Sequence, residues 1–281
     1  MFVKFKRIPL ALTMVATMMG GLATEALAET TKQAKVADLV RTLGYGGGIH
    51  RFKNYVIRGE DKYHERAVEA LTNAQGIIAS LREMDVSSDE SAALDSLEQT
   101  VGSYQTALDT VHGMVEEDYG VGDIVSSANA ELKVDDAPAL AGLDTLRAGH
   151  EWNDVQELEF TLGYGGAIHR AKNFLLRGEK KYEEEAISDF DHALELVEKI
   201  GQADLNDAEQ AALADIKKTI LDYEKGIKTA EKTALYVSKT KVKTVIGMAI
   251  HQADKKIKVD DNAALNGLAV LGKKFSGPVA D

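Results

Sequence analysis

A set of polar side chains occurs twice in this chain at the same spacing. Each copy contains a tyrosine, a histidine, a lysine, an asparagine and an arginine in a short segment. Lysine and arginine supply positive charge, asparagine offers a donor and an acceptor, and histidine can change charge near neutral pH. We therefore expect this set to line a pocket for a small polar or anionic ligand. The candidate ligand-binding residues are Tyr45, His50, Lys53, Asn54, Arg58, Tyr164, His169, Lys172, Asn173 and Arg177.

A purely structural role for the same residues is the main alternative. Each copy is followed by paired aspartates, which could form ion pairs with the basic residues of their own copy. The glycines that precede each histidine could serve a tight helix crossing, because glycine lets backbones approach closely. The candidate pairing residues are Asp135, Asp136, Asp260 and Asp261.

Other chemistries lack a recognisable pattern. The chain has no cysteine, and its histidines lack the paired spacing of zinc or di-iron motifs. Lysine and arginine beside the recurring histidine would oppose a bound cation. No nucleophile and base pair or cofactor fingerprint is visible, so we expect no metal, no cofactor and no enzymatic activity. An enzyme is the least favoured class of function.

The polar set lies in a longer internal repeat. Residues 43–63 and 162–182 are identical at 15 of 21 positions, at an offset of 119. Ser87 with Glu90, and Asn206 with Glu209, have the spacing of a capping box that starts a helix. The segments 133–146 and 258–271 also correspond, but at an offset of 125. The second copy therefore carries six extra residues before its last helix.

Helical periodicity assigns two faces to the motif. Tyr45, Ile49, Phe52, Val56 and Tyr63 fall on one side of a helical wheel, as expected for a stripe that packs into a core. The polar residues share the opposite face. We expect a long helical region that bends where each motif ends in an arginine and a glycine, then a capped helix, a less regular stretch and a last helix beginning at the aspartates.

These patterns predict an all-α protein made of two tandem antiparallel helical bundles related by duplication. Abundant helix-forming residues, only three prolines and six per cent aromatic residues agree with that fold class. The predicted organisation is a signal peptide at 1–28, a first helical module at 29–148, a second helical module at 149–274 and a short tail at 275–281.

The N-terminus has the pattern of an export signal. Lys4, Lys6 and Arg7 precede the mostly apolar segment 8–22, and the small residues Ala26 and Ala28 precede the expected cleavage point after Ala28. An uncleaved membrane anchor is the alternative, but the apolar segment is short and contains threonines and glycines. We expect a periplasmic protein with no direct membrane insertion after cleavage.

The charge balance excludes one class of partner. The chain contains 33 basic and 45 acidic residues, and its formal net charge is −12. A strongly acidic protein repels polyanions, so we expect no nucleic-acid partner.

The pattern GYGGxIHxxKNxxxRGxxKY, followed by a capped helix and VDDxxAL, resembles periplasmic sensor regions of some bacterial methyl-accepting chemotaxis receptors and membrane-bound diguanylate cyclases. The resemblance covers nearly all of both copies. It implies a helical module that senses a ligand or receives a signal outside the inner membrane. Such sensors lie between membrane helices and precede a cytoplasmic output domain, whereas for this chain we expect neither a second membrane segment nor a signalling portion after Leu271.

Two functions from different classes therefore compete. The first is a periplasmic sensor-like binding protein for an unknown small polar or anionic ligand, with or without a membrane-bound receptor that carries related modules. The second is a structural or protein-interaction module whose motifs only lock helices together and bind no small molecule.

Overall fold

The computed structural model describes residues 32–130 and 134–275, and all regular structure in these ranges is helical. The expected all-α fold class is confirmed for this part of the chain. The expected signal peptide and most of the expected tail lie outside the described residues. For residues 32–147, the N-terminal half, the helices are α1 (32–43), α2 (Gly48–Arg58), α3 (Asp61–Arg82), α4 (Ser88–Glu116), α5 (Val121–Ala130) and α6 (Ala137–Arg147).

The C-terminal half, residues 154–275, has the same order of helices. They are α7 (Asp154–Leu162), α8 (Ala167–Arg177), α9 (Lys180–Ile200), α10 (Asp207–Lys239), α11 (Lys243–Ile257) and α12 (Asp261–Phe275). The stretches that were expected to be less regular contain α5 and α11, so helix is more extensive than the sequence indicated.

Local capping explains where the longest helices begin. The backbone N–H of Glu90 donates to the Ser87 hydroxyl at 3.2 Å, and the Ser87 N–H donates to the Glu90 carboxylate at 2.7 Å. Asn206 and Glu209 form the same reciprocal pair at 3.1 and 2.9 Å. Both predicted capping boxes are therefore confirmed, and each satisfies backbone donors that the first helical turn leaves unpaired.

Glycines end the two motif helices. Gly59 and Gly178 adopt left-handed φ values of 65° and 61°, and each donates its N–H to the carbonyl four residues earlier at 2.8 Å. Left-handed backbone is strained for other residues, so glycine is the favoured end of such a helix. The bend expected at these positions is a complete break between α2 and α3 and between α8 and α9.

Contacts between the halves position the motif. Helix α2 packs against α8, and α5 packs against α11. At the second crossing, a Cβ atom on Gly122 would lie 1.8 Å from the carbonyl oxygen of Lys243, so only glycine fits there. The buried apolar side chains of both halves belong to one continuous core that runs from Val36 to Leu271. The division into two tandem bundles stays a prediction.

The described helices include none with the length and apolar character needed to cross a bilayer.

Candidate functional site

The polar faces of α2 and α8 meet between the halves and are buried there. His50, Lys53 and Asn54 retain between 2% and 8% of their exposure, although the sequence assigned them to a polar face opposite the core. Their counterparts on α8 are buried to the same degree: His169, Lys172 and Asn173 retain between 1% and 7%. The two polar stripes therefore cover each other, and α2 is buried on both of its faces.

The glycine turn before each helix orients the histidine. The N–H groups of Gly46 and Gly165 donate to Nδ1 of His50 and His169 at 3.0 and 2.8 Å. An Nδ1 atom that accepts a hydrogen bond is unprotonated, so the neutral ring carries its proton on Nε2. Both glycines have left-handed φ values of 72° and 84°. The turn therefore requires glycine and fixes which nitrogen faces the interior.

The aspartate after each repeat binds the motif of the other half. In the first such cluster, Asp261 accepts hydrogen bonds from the hydroxyls of Tyr45 at 2.8 Å and Tyr223 at 2.5 Å. His50 Nε2 lies 3.7 Å from the same carboxylate. Two of these three contacts join the N-terminal half to the C-terminal half.

The second cluster repeats this arrangement with the halves exchanged. Asp136 accepts from Tyr104 at 2.6 Å and from Tyr164 at 2.8 Å, and His169 Nε2 lies 3.3 Å away. Burial would raise the pKa of Asp136, but its contact with His169 and the nearby charge of Lys53 hold it well below its usual range. The histidines thus pair across the halves, whereas the expected attraction within one copy remains between Lys53 and Asp136.

The other aspartate of each pair has a local role. Asp135 accepts the N–H of Ala137 at 3.1 Å, and Asp260 accepts the N–H of Asn262 at 3.0 Å. Each carboxylate accepts a hydrogen bond from a backbone N–H that has no partner within its helix, at the start of α6 or α12. A negative charge is favourable at a helix N-terminus. Within the described residues, Asp135 and Asp260 form no ion pair with the basic residues of the motif.

The buried histidines are neutral at pH 7. Burial lowers the pKa of both His50 and His169 to about 4, because the charged imidazolium loses its hydration. The change of charge near neutral pH that the residue type suggested is therefore not available in the folded protein.

Two lysines are enclosed at the same crossing. Lys53 Nζ donates to Asn173 Oδ1 at 2.5 Å, and Lys172 Nζ lies 3.8 Å from Asp254. Burial lowers the pKa of each lysine to about 8. An ammonium group loses its hydration when buried, so these side chains weaken the folded state unless nearby carboxylates compensate them.

The two motif arginines differ in their partners. Arg58 donates from Nε and Nη2 to the two oxygens of Asp254 at 3.0 and 2.9 Å, and from Nη1 to the Tyr63 hydroxyl at 2.6 Å. Arg177 also donates to a tyrosine hydroxyl, that of Tyr182. Within the described part of the chain, however, no carboxylate pairs with Arg177.

A cavity of about 540 Å³ opens beside Arg177. This volume lies within the usual range for small-molecule sites. Both halves of the chain line it, the N-terminal half through residues around the start of α6 and the C-terminal half through α8 and α9. The polar lining residues are Asp135, Asp136, His169, Arg170, Asn173, Arg177, Tyr182 and Glu185.

The motif residues at the centre of the crossing enclose much less space. The cavity between Tyr45, His50, Lys53, Tyr164 and Lys172 measures about 10 Å³, which is roughly the space of one water molecule. Of the ten candidate ligand-binding residues, three therefore border a space of ligand size, and all three are on α8. They are His169, Asn173 and Arg177.

Five residues of this network, Tyr63, Tyr104, Tyr182, Tyr223 and Asp254, were absent from the candidates chosen by sequence. Tyr104 and Tyr223 correspond at the repeat offset of 119, and this correspondence was the available signal for them. Tyr182 ends the repeated motif, and its partnership with Arg177 follows from the turn between α8 and α9. Asp254 gave no signal, because the residue that corresponds to it at the offset of 125 is Asn129.

The described residues contain no group of histidine, aspartate and glutamate side chains suited to holding a metal ion. Comparison of the chain with protein-family models, curated proteins and solved structures found no match.

Proposed function

We propose that this chain is a periplasmic sensor-like binding protein, and that a small polar or anionic ligand binds in the cavity beside Arg177. The single observation that supports the proposal best is the difference between the arginines. Arg58 is paired with a carboxylate, whereas Arg177 has no such partner within the described residues and borders about 540 Å³ of open space. A guanidinium group in this setting is suited to binding an anionic group.

Ligand binding would act on the contact between the halves. The cavity has Asp136 on one side and His169 and Arg177 on the other, and Asp136 already accepts hydrogen bonds from both halves. A ligand that bridges these walls favours one arrangement of α6 against α8 over another. Binding is therefore coupled to helix packing, with the glycine turn before α8 as the deformable element.

The proposed organisation is two modules, residues 29–148 and 149–274, that arose by duplication and pack against each other in one chain. Each supplies the aspartate that the other binds. Such a chain can present a ligand to a membrane-bound receptor with related modules. The proposal also includes export through the signal peptide at 1–28, and it assigns the protein no enzymatic activity.

A structural or interaction module without a small ligand is the second candidate. The burial of His50, Lys53 and Asn54 favours it, because internal contacts use much of the motif's polar capacity. It accounts for the crossing of α2 and α8, but it does not require an open cavity beside an arginine that lacks an ion pair.

A thermal-shift screen of residues 29–281 separates these candidates. The panel holds amino acids, organic acids, inorganic phosphate, nucleotides, polyamines and metal ions. A ligand of the native state adds about 2.7 kcal/mol of stability at a hundredfold excess over its dissociation constant. We expect an anionic or zwitterionic compound to raise the melting temperature of the wild type and to lose this effect in Arg177→Gln.

Arg82→Gln is the matched control, because Arg82 lies on α3 in exposed ion pairs with Asp95 and Glu98. This variant should respond to ligand as the wild type does. A panel without any stabilising anion or zwitterion would overturn the ligand-binding proposal in favour of the interaction module. An equal response of Arg177→Gln and the wild type would show that the ligand does not bind in this cavity.

A further inference from the structure

The two motif arginines occupy equivalent positions. Arg58 and Arg177 are 119 residues apart, which is the offset of the repeat. Each donates Nη1 to the hydroxyl of a tyrosine five residues later, Tyr63 or Tyr182. The guanidinium carbon also lies over the ring of that tyrosine, 5.4 and 5.2 Å from its centre. The same local contacts therefore hold both guanidinium groups.

The two arginines differ in whether a carboxylate also binds them. Asp254 binds Arg58 through two parallel N–H to oxygen contacts, which is the geometry in which arginine recognises a carboxylate. The residue at the corresponding place in the N-terminal half is Asn129, which carries no charge. The chain supplies its own carboxylate to Arg58, and within the described residues no carboxylate pairs with Arg177.

We infer that the ligand of the Arg177 cavity is a small amino-acid-like zwitterion, whose carboxylate binds Arg177 as Asp254 binds Arg58. This inference rests on the proposed function and assigns the chemical class of the ligand. A carboxylate matches the planar fork of a guanidinium, and the Arg58 site shows that fork already filled by one.

The acidic residues around the cavity are the reason for placing an ammonium group on the ligand. Asp135, Asp136 and Glu185 also line it. Arg170, the other basic residue of the lining, already lies 2.9 Å from Asp189 and 3.6 Å from Glu185. Within the described residues Asp135 forms no ion pair, so a ligand with negative charge alone would lie near this carboxylate without compensation. An ammonium group on the ligand compensates the acidic side while the carboxylate compensates Arg177.

The degree of exposure indicates which carboxylates face the ammonium group. The oxygens of Asp136 already accept from two tyrosines and face His169. Asp135 and Glu185 are exposed and belong to the rim of the cavity. The ligand's carboxylate therefore lies inward at Arg177, and its ammonium group lies outward between Asp135 and Glu185.

Titration with three chemical series tests this assignment. The probes are the common amino acids, their N-acetyl derivatives, which lack the cationic amine, and their amides, which lack the carboxylate. We expect at least one amino acid to bind, and both of its derivatives to bind at least about tenfold more weakly, which corresponds to about 1.4 kcal/mol. Comparing the derivatives on the wild type requires no variant, so the test does not depend on a variant folding.

Variants then locate the two ends of the ligand. Arg177→Gln should weaken binding of the amino acid about a hundredfold, because two charge-assisted hydrogen bonds are lost. Glu185→Gln should weaken binding of the amino acid but leave binding of its N-acetyl derivative unchanged, because that derivative has no ammonium group. Arg82→Gln should change neither affinity.

The possible failures are distinguishable. Stabilisation by inorganic phosphate or by a dicarboxylate, with none by any amino acid, would overturn the zwitterion assignment and keep the proposed function. Equal binding of an amino acid and its N-acetyl derivative would overturn the role of the ammonium group. Absence of binding by every compound would overturn both the assignment and the proposed function.

Discussion

Replacing Asp254 with alanine should destabilise the protein strongly, because it leaves two buried cations without their carboxylate. Asp254 binds Arg58 through two hydrogen bonds, and Lys172 Nζ lies 3.8 Å away. The side chains of Asp254 and Arg58 each retain only 10% of their exposure, so solvent screens this pair weakly. The surviving Arg58 and Lys172 would then repel each other inside the contact between the halves.

The size of the effect follows from these contacts. A hydrogen bond to a charged group contributes about 1.5 to 3 kcal/mol, and removal of one partner of a buried ion pair costs about 3 to 5 kcal/mol. We therefore expect Asp254→Ala to lower the free energy of unfolding by about 3 to 5 kcal/mol. For a chain of this length that corresponds to a fall in melting temperature on the order of 10 °C.

Urea denaturation of Asp254→Ala and a matched control measures this loss. Asp123→Ala is the control: Asp123 also joins the halves, through Lys243 at 3.1 Å, but both side chains are exposed. It should cost less than about 1 kcal/mol. Acetate should partly restore Asp254→Ala, because it can enter the space left by the carboxylate and bind Arg58. A loss below about 1 kcal/mol, equal to that of the control, would refute the importance of this buried pair.

Three further expectations concern the contacts between the halves. Gly122→Ala should cost about 2 kcal/mol or more in denaturation experiments, because its Cβ would clash with a carbonyl of α11, whereas Gly102→Ala, with open space around it, should be neutral or stabilising. Lys53 and Lys172 titrate near pH 8 when folded and near 10.5 when unfolded, so the unfolded state binds more protons between these values. Stability should therefore rise from about pH 8 until tyrosine ionisation begins, and a double substitution with methionine should abolish this rise. Tyr164→Phe should cost about 1.5 kcal/mol by removing one hydrogen bond to a buried carboxylate; a loss below measurement error would contradict that role.

The sequence predicted local structure well because the signals for it are local. Ser87 and Asn206 cap the helices that follow them, and the glycines at 59 and 178 end α2 and α8. Each of these features depends on atoms within a few residues along the chain. The two capping boxes could therefore be found without knowledge of the fold, whereas Gly59 and Gly178 were expected to bend a continuous helix and instead end it.

The environment of the polar face could not be predicted in the same way. A helical wheel separates the side of Ile49 from the side of His50, but it does not identify what covers either side. Both are buried, at 2% and 8% exposure: Ile49 belongs to the apolar core, and His50 lies where α8 presents an equivalent polar stripe to α2. Identical motifs also have identical candidate partners, so the sequence could not decide which aspartate each histidine faces.

Two differences between the copies form a correlated exchange of aromatic residues, which the sequence alone could have shown. Phe52 packs edge-on against Tyr104, with ring centres 5.4 Å apart, and its counterpart in the other half is Ala171. There Phe190 stacks on Tyr223 at 6.0 Å instead. The N-terminal counterpart of Phe190 is a leucine at position 71. The N-terminal half carries its phenylalanine on α2, whereas the C-terminal half carries its phenylalanine on α9, the counterpart of α3. Both arrangements fill the core.

Residues that the two copies share and residues at which they differ indicate different aspects of function. The shared histidines and lysines lie in the contact between the halves, where Lys53 donates to Asn173 and each histidine faces an aspartate. A binding site that occurs once must instead arise where the copies differ. Asp254 and Asn129 are such a difference in the sequence: Asp254 neutralises Arg58 from within the chain, whereas Asn129 carries no charge. If the cavity binds a carboxylate, Asp254 is its internal substitute, and acetate rescue of Asp254→Ala and amino-acid binding at Arg177 should fail or succeed together.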